Sequence, residues 1–514
     1  MKYNVILFTD APNPENFTRG YGAYRIATEI RKLGHSVLTV DFSSALSEDT
    51  FDKILNLAVG DETFFVGFST TWFPHTGELS SNNKFIYGKK SVLLDTRSDF
   101  HLIDQDWYFN SVAFQISKGG IKKFVDKIKN INPKTKVILG GANASEYVKE
   151  PSLDHVFIGY SENQIVDFVK SITKSGPLRI FNKIINYDTK ANSGEFNFNN
   201  SCTEYVDSDC IHPDEHMTIE FSRGCIFNCT FCSFPHRNQN TKNYMKCKDV
   251  LRAELMSNWE KWGVTRYVIT DDTFNDYTDK LRDIDEVVKS LPFTPIFYFA
   301  FIRMDLMTAE QATLIKSIGV KEVFYGLDAW DVAAAKAISK GGNREKKIAG
   351  IRTAKECWGN DVYIGAYIII GLPNDTLEGI TESVNWYINE GYQWLDTLRY
   401  VTYMIRQKSD VQQYQFLSII EADPDKWGYS FPNPDDYLYW EKNDNGNITS
   451  RTMANQLMFE ANEKVEPYYR QKKTDWNDLY PKSEEYTSLS KSDLYFYATN
   501  KKYFPRLLDV LSKS

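Results

Sequence analysis

Three cysteines, Cys225, Cys229 and Cys232, stand at spacings of four and three in the run Ser222-Arg-Gly-Cys-Ile-Phe-Asn-Cys-Thr-Phe-Cys-Ser-Phe-Pro235. Thiolates held in one short loop can bind three irons of a cubane cluster and leave the fourth iron open, whereas ordinary electron-carrying 4Fe-4S sites use four cysteines. An open iron can take a small molecule through an amine and a carboxylate. Two other readings compete. A structural zinc site needs four ligands, usually as Cys-x2-Cys or Cys/His pairs. The nearest fourth candidates, His236 and Cys247, stand at no familiar zinc spacing. Three thiols in a metal-free fold are the other reading, and the Arg223-Gly224 and Phe231 context counts against it.

The rest of the chain must position this loop. It has 514 residues, 42% of them hydrophobic, enough for two or three domains with their own cores. A net charge of -8 argues against broad nucleic-acid binding, which leaves a basic footprint, and allows only a local basic groove. The seven cysteines (202, 210, 225, 229, 232, 247 and 357) are odd in number and clustered, unlike a secreted disulfide framework. The N-terminal apolar run is too brief for a signal peptide, and no stretch is long enough to span a bilayer. A soluble, cytoplasmic protein with no membrane association is the expectation.

In the first third, strands at 4–8, 34–41, 64–69, 136–139 and 155–158 alternate with helices. These include 21–33 and a segment whose Ile121, Phe124, Val125, Ile128 and Ile131 recur at helical spacing. Such alternation predicts a doubly wound parallel sheet, with ligands at the carboxyl ends of the strands. The loops there are Thr9–Gly22, Ser69–His75, Gly140–Ala144 and Gly159–Glu162, and Gly140-Gly141 allows close backbone approach to a ligand. Residues 186–212 read as a polar linker. After a strand at Met217–Phe221 and the cysteine loop, helices at 247–262, 277–290, 308–318, 344–358 and 376–390 alternate with strands at 266–270, 296–300, 322–326, 363–370 and 397–403. Working groups of such barrels sit at the carboxyl ends of the strands. They are Asp271-Asp272, Arg303, Asp328 and the turn Gly371-Leu-Pro-Asn-Asp-Thr376. Turn-forming Asp and Asn are common at strand ends in any case, Arg303 has a surface salt bridge as its plain alternative, and Thr376 can simply cap the next helix.

The Cys-x3-Cys-x2-Cys run with Phe231 before its last cysteine resembles the radical S-adenosylmethionine (SAM) superfamily. With the upstream sheet, the chain resembles the cobalamin-binding-domain-containing subfamily over residues 1 to about 405. The resemblance implies an N-terminal doubly wound, Rossmann-like domain (1–185), a linker (186–212) and a (βα)6 partial barrel (213–405). A mixed, mainly helical C-terminal extension (406–514) follows; it is rich in Trp and Tyr, with helices at 453–463 and 491–499, and shapes the substrate pocket or merely packs. The cysteines would hold a 4Fe-4S cluster whose open iron chelates SAM, with Phe231 beside it. Asp271 and Asp272 resemble the family's Asp-Asp-x-Phe motif and would accept from the cofactor's amine or ribose hydroxyls. Arg303 would pair with a cofactor or substrate carboxylate, so Asp272 and Arg303 are the expected catalytic groups. Asp328 replaces the Glu of Gly-x-Glu-Ser, Lys340-Gly341 matches a family pair, Glu254 matches a recurrent helical glutamate, and Gly371 and Pro373 belong to a Gly-Leu-Pro turn that packs on adenosine.

Upstream, Arg19-Gly20-Tyr21-Gly22, Leu-Gly140-Gly141-Ala-Asn-Ala-Ser and Ile-Gly-Tyr-Ser-Glu162-Asn resemble the cobalamin-binding pieces, making Arg19, Gly20, Gly140, Gly141 and Glu162 candidate cobalamin contacts. Tyr160-Ser161-Glu162 departs from the family's Gly-Glu-x-Glu, and Asp-x-His-x-x-Gly is missing. The implied activity is reductive cleavage of SAM to a 5'-deoxyadenosyl radical, with cobalamin-dependent methylation of an unactivated carbon. The alternatives are a radical isomerase, oxidase or cyclase with a vestigial N-terminal domain, and a non-catalytic iron-sulfur protein. The implied partners are an external one-electron reductant of flavodoxin or ferredoxin type and a substrate that is a small molecule or peptide rather than nucleic acid.

Overall fold

Alternate residues of each N-terminal strand enter two different apolar cores, which is why this sheet carries helices on both faces. The computed structural model describes residues 2–11, 18–70, 110–176, 181–186, 192–193, 196–234, 236–238, 244–341, 343–405, 416–433, 439–470 and 491–513. Parts of the loops Thr9–Gly22 and Ser69–His75 and of the expected linker, with Pro235, Tyr437 and Trp476, lie outside them. The strands are β1 (Val5–Phe8), β2 (Val37–Val40), β3 (Phe65–Ser69), β4 (Lys136–Gly141), β5 (His155–Ile158) and β6 (Ile184–Ile185), all parallel in the order β2-β1-β3-β4-β5-β6. Val5, Leu7, Val37 and Phe157 pack with α1 (Tyr21–Lys32). Ile6, Phe8, Leu38, Val66 and Leu139 pack with α2 (Glu48–Ala58) and α3 (Ile121–Ile131). A further helix, α4 (Glu162–Ile172), starts at the carboxyl end of β5.

The expected linker is a packed strap. Phe198 is fully buried, Tyr205 and Ile211 join the barrel core, and Arg25 of α1 donates to Ser201 O at 3.2 Å and to its Oγ at 2.6 Å. Its polar composition hid a few anchoring aromatics, and burying those offsets the cost of ordering the strap.

The barrel follows as β7 (His216–Ile219), α5 (Lys248–Trp262), β8 (Arg266–Ile269), α6 (Thr278–Lys289), β9 (Ile296–Tyr298), β10 (Ala300–Ile302), α7 (Ala309–Ile318), β11 (Glu322–Asp328), α8 (Val332–Ala337), α9 (Arg344–Trp358), β12 (Tyr363–Ile370), α10 (Leu377–Asn389) and β13 (Thr397–Thr402). The predicted third strand is two pieces. Phe299 takes φ +66° between them, so β9 pairs with β8 while β10 pairs with β11.

The C-terminal extension splits. Helix α11 (Arg451–Val465) lies along β13, where the Asn462 side chain accepts from Tyr400 N and donates to Tyr400 O, both at 2.9 Å. That amide takes the place of a neighbouring strand on an edge that would otherwise expose backbone groups. Helices α12 (Lys491–Ala498) and α13 (Phe504–Lys513) return to the N-terminal domain, where Tyr503, Phe504 and Leu507 join Phe42 and Phe51 in one core. The Tyr503 hydroxyl accepts from Asp41 N at 3.0 Å, and Tyr495 donates to Asp10 at 3.3 Å. Part of the extension thus braces the carboxyl ends of β1 and β2 instead of closing the barrel. Among the described residues no helix is long and apolar enough to cross a membrane.

Candidate active site

The cysteine loop leaves β7 and is locked from below by a buried ionic cluster. Asp271, at the end of β8 and fully buried, accepts from Phe221 N at 2.7 Å and from the Ser222 hydroxyl. Lys280 of α6 sits 3.0 Å from Asp271 and 3.2 Å from Asp276, and donates to Ser222 Oγ and Thr273 O at 2.8 Å. Burial pushes the Asp271 carboxyl upward and the ammonium of Lys280 opposes it. With its oxygens committed to the loop, Asp271 holds the scaffold and offers nothing to a ligand. This corrects the expected cofactor role: the first Asp of the pair points into the protein and the second to the open side.

The cysteines themselves are held by backbone. Cys225 N donates to His236 O at 3.0 Å and Cys232 N to Cys229 O at 3.1 Å, and Cys225 Sγ lies 3.2 Å from Thr273 Oγ1. Thr230 N donates to Ile338 O at 3.1 Å, tying the loop to the end of α8. Burial pushes the Cys232 thiol up to about 12, so taking up iron must release its proton.

Cations gather behind Cys229. The Arg303 guanidinium stacks on Phe227 at 3.8 Å, reaches Cys229 Sγ at 3.9 Å and pairs with Asp305 at 2.7 Å. Lys340 pairs with Asp328 and lies 5.9 Å from the Phe231 ring. Burial pulls the Lys347 ammonium down to about 8; its Nζ donates to Leu327 O at 3.1 Å. Arg303 therefore faces a sulfur ligand and its own carboxylate partner, not an incoming carboxylate. Asp328, at φ +56°, turns back over Gly326 to Lys340. Lys280, Lys347 and Asp305 carry no local motif, and only the folded chain brings them here.

Asp272 differs from all of these. It is half-buried, and no described protein group donates to its carboxylate. Burial, then the neighbouring Asp271 and Glu220, push it up to about 7. A carboxyl in that state loses its O–H donor and becomes a charged, acceptor-only group as pH rises through neutrality. Affinity for SAM is therefore expected to increase from about pH 6 to about pH 8, and Asp272→Asn should flatten that step while leaving iron content unchanged. Isothermal titration across this range checks it.

Other expected contacts fall elsewhere. The space beside Gly371, at φ +97°, is filled by Trp440, whose ring carbon would lie 2.5 Å from a Cβ; the Tyr429 hydroxyl donates to Gly371 O at 2.6 Å. Pro373 is buried in the same turn. This glycine admits an indole from the extension where adenosine was expected. Gly371→Ala should lower stability by about 1–3 kcal/mol, read as a lower melting temperature.

Arg19 is buried, and all its guanidinium N–H groups are used: by Glu215 (2.6 and 2.7 Å), Asp209 O (2.7 Å), Tyr24 (2.8 Å) and Cys210 O (3.1 Å). Gly20 is pressed on Thr9, which leaves no room for a Cβ, and its N–H goes to Asp41 at 2.9 Å. Arg19 joins the N-terminal domain to the strap and barrel, Gly20 is fixed within the N-terminal domain, and neither has a donor left for a ligand. Glu254 accepts from Lys246 and Thr203 N inside the fold. Gly140 and Gly141, by contrast, stand half-buried at the carboxyl end of β4, Gly141 at φ +107° and bridged to Gly159.

The donor set fits an iron-sulfur group. Three cysteines share one loop, cations back the middle one, and the half-buried Asp272 stands at the neighbouring strand end with no described donor. Residues 219–387 match the family model described as the radical SAM superfamily. Over these residues the barrel is similar to the radical SAM superfamily.

The chain is 29% identical over 168 residues to a protein of Methanocaldococcus jannaschii provisionally named a methylthiotransferase, a stretch covering 31% of this chain and 36% of that one. It is 24% identical over 278 residues to an uncharacterized methyltransferase of Pyrococcus horikoshii, covering 50% of this chain and 59% of the relative. The chain thus spans less than two thirds of either curated relative. Among solved structures, it is similar to the radical SAM methyltransferase TsrM from Kitasatospora setae, with cobalamin and a [4Fe-4S] cluster bound. The TM-score is 0.57 at 14% identity, over 84% of this chain and 80% of that one. It is also similar to the cobalamin-dependent SAM radical enzyme OxsB (TM-score 0.54, 15% identity, 83% of this chain and 56% of that one). At such identities the likeness establishes a shared architecture, an N-terminal α/β domain followed by the barrel.

Proposed function

We propose that this protein is a cobalamin-dependent radical SAM methyltransferase acting on an unactivated carbon of a small molecule or peptide. The observation that carries the reading is the docking of the carboxyl edge of the N-terminal sheet onto the cysteine loop: Glu162, first residue of α4, pairs with Arg223 at 2.6 Å. Two sites for reactive groups then lie against one another in a single molecule. The names of TsrM and OxsB, which bind cobalamin on the same architecture, and the methyltransferase name of the Pyrococcus relative support it.

When bound, the cluster and SAM supply one-electron cleavage to a 5'-deoxyadenosyl radical, and cobalamin supplies a transferable methyl group. The chain's part is placement. Cys225, Cys229 and Cys232 hold the irons, and Arg303 and Lys340 offset the negative charge of the thiolates. Asp272 accepts from an amine or hydroxyl of SAM, while Gly140 and Gly141 give cobalamin a close backbone surface. A flavodoxin- or ferredoxin-type donor supplies the electron. A second reading, the same barrel chemistry over an empty N-terminal domain, is favoured by one observation: Arg19 and Gly20 are spent on protein contacts.

The experiment is anaerobic reconstitution with iron, sulfide and hydroxocobalamin, followed by cobalt counting and turnover with methyl-deuterated SAM. About one cobalt per chain is expected. Iron without cobalt would overturn the cobalamin part and favour the second reading.

A further inference from the structure

The residue before the cysteine loop's first glycine is held from two domains at once. Arg223 donates Nε and Nη2 to the two oxygens of Glu220, at 2.8 and 2.9 Å, and Nη1 to Glu162 Oε1 at 2.6 Å. All three side chains are buried, Glu162 at 3%, Arg223 at 4% and Glu220 at 5% exposure. The guanidinium lies 4.4 Å over the Tyr160 ring, and Tyr160 stacks at 4.8 Å on His236, whose carbonyl accepts from Cys225 N. One loop, Gly159 to Glu162, therefore touches both sides of the cluster loop's base. At the same time it borders Gly141, the half-buried glycine at the ligand edge of the sheet.

The second carboxylate oxygen of Glu162, Oε2, is buried and has no hydrogen-bond partner among the described residues. A buried carboxylate oxygen left unpaired is costly. A protein keeps such an atom where something else supplies the donor. The edge on which it stands is the one proposed above to receive cobalamin, whose corrin ring carries primary amide side chains rich in N–H donors.

We infer that Glu162 is a two-sided positioning residue: Oε1 fixes Arg223 and the start of the cluster loop, and Oε2 accepts from a corrin amide. Occupancy of the N-terminal domain then tightens the cluster loop, and the pairing of Glu162 with Arg223 is the mechanical link. The inference rests on the cobalamin reading and adds to it a route between the two sites.

Hydrogen exchange of the peptide spanning 222–232 tests it, on anaerobically reconstituted full-length protein without SAM, with and without hydroxocobalamin. In the wild type, hydroxocobalamin should slow exchange of this peptide about tenfold, a coupling of ordinary size. Glu162→Gln keeps an acceptor for Arg223 and should keep its iron. It should bind hydroxocobalamin about tenfold more weakly and show no slowing. Should that variant lose iron, Glu162→Asp, which keeps the charge, takes its place and should show reduced slowing. Equal slowing in wild type and variant, or wild-type binding that leaves 222–232 unchanged, overturns the coupling alone. Failure of the wild type to take up hydroxocobalamin overturns the cobalamin reading and this inference with it.

Discussion

Cys229→Ala is expected to lose the iron-sulfur absorption and all cleavage of SAM while remaining folded. Cys229 is the middle ligand of three, buried at 8% exposure, with Arg303 at 3.9 Å and Ser339 O at 4.0 Å from its sulfur. The loop's fold does not depend on that sulfur. Its backbone is fixed by the bonds from Cys225 N, Cys232 N and Thr230 N, none of which the substitution removes. What goes is the thiolate that Arg303 faces, and two remaining cysteines cannot keep a cubane from which ordinary sites draw four ligands. Cys357→Ala is the control: this half-buried thiol on α9 lies by Thr313, away from the loop, and iron content should be unaffected. Iron per chain and 5'-deoxyadenosine after dithionite and SAM decide it, and retained cleavage in Cys229→Ala would sink the assignment.

Asp271→Ala should be the most destabilising single change at this site, by about 3–5 kcal/mol, because removing one partner strands a buried charge. Of its two carboxylate partners Lys280 would keep only Asp276, at 3.2 Å, and Phe221 N would lose its acceptor. Asp276 is itself engaged by the Tyr244 hydroxyl at 2.5 Å, so it cannot fully make up the loss. The loop base then loosens, and iron loading should fall together with the melting temperature. Asp272→Asn, one residue along, should leave both near wild type, since no described group donates to that carboxylate. Equal melting temperatures for wild type and Asp271→Ala would show that the cluster under the loop does not hold it.

Much of this was legible in the chain. The cysteine spacing gave the candidate iron site because ligand identity and spacing are local properties. Helical and strand periods over 121–131 and 363–370 placed the elements, because each face is buried against one layer. The missed features were non-local. Residues 186–212 read as a polar linker, because the few anchoring aromatics of its described part do not form a period. The return of 504–513 to the N-terminal domain joins residues nearly a chain length apart, and no local pattern encodes it. Charged residues at strand ends read alike in sequence. Only packing shows that Asp271, Arg19 and Asp328 are consumed by Lys280, Glu215 and Lys340, while Asp272 is open. Gly371 was expected to pack on adenosine, and the group at its close approach is Trp440 from the extension.

The central claim is a cluster with one iron open to SAM. It is tested most directly by electron paramagnetic resonance of the reconstituted, dithionite-reduced protein with and without SAM. The account predicts about four irons per chain and a reduced-cluster signal that changes on adding SAM, as binding at a cluster iron requires. A cluster signal indifferent to SAM, or no cluster formed on Cys225, Cys229 and Cys232, would contradict it.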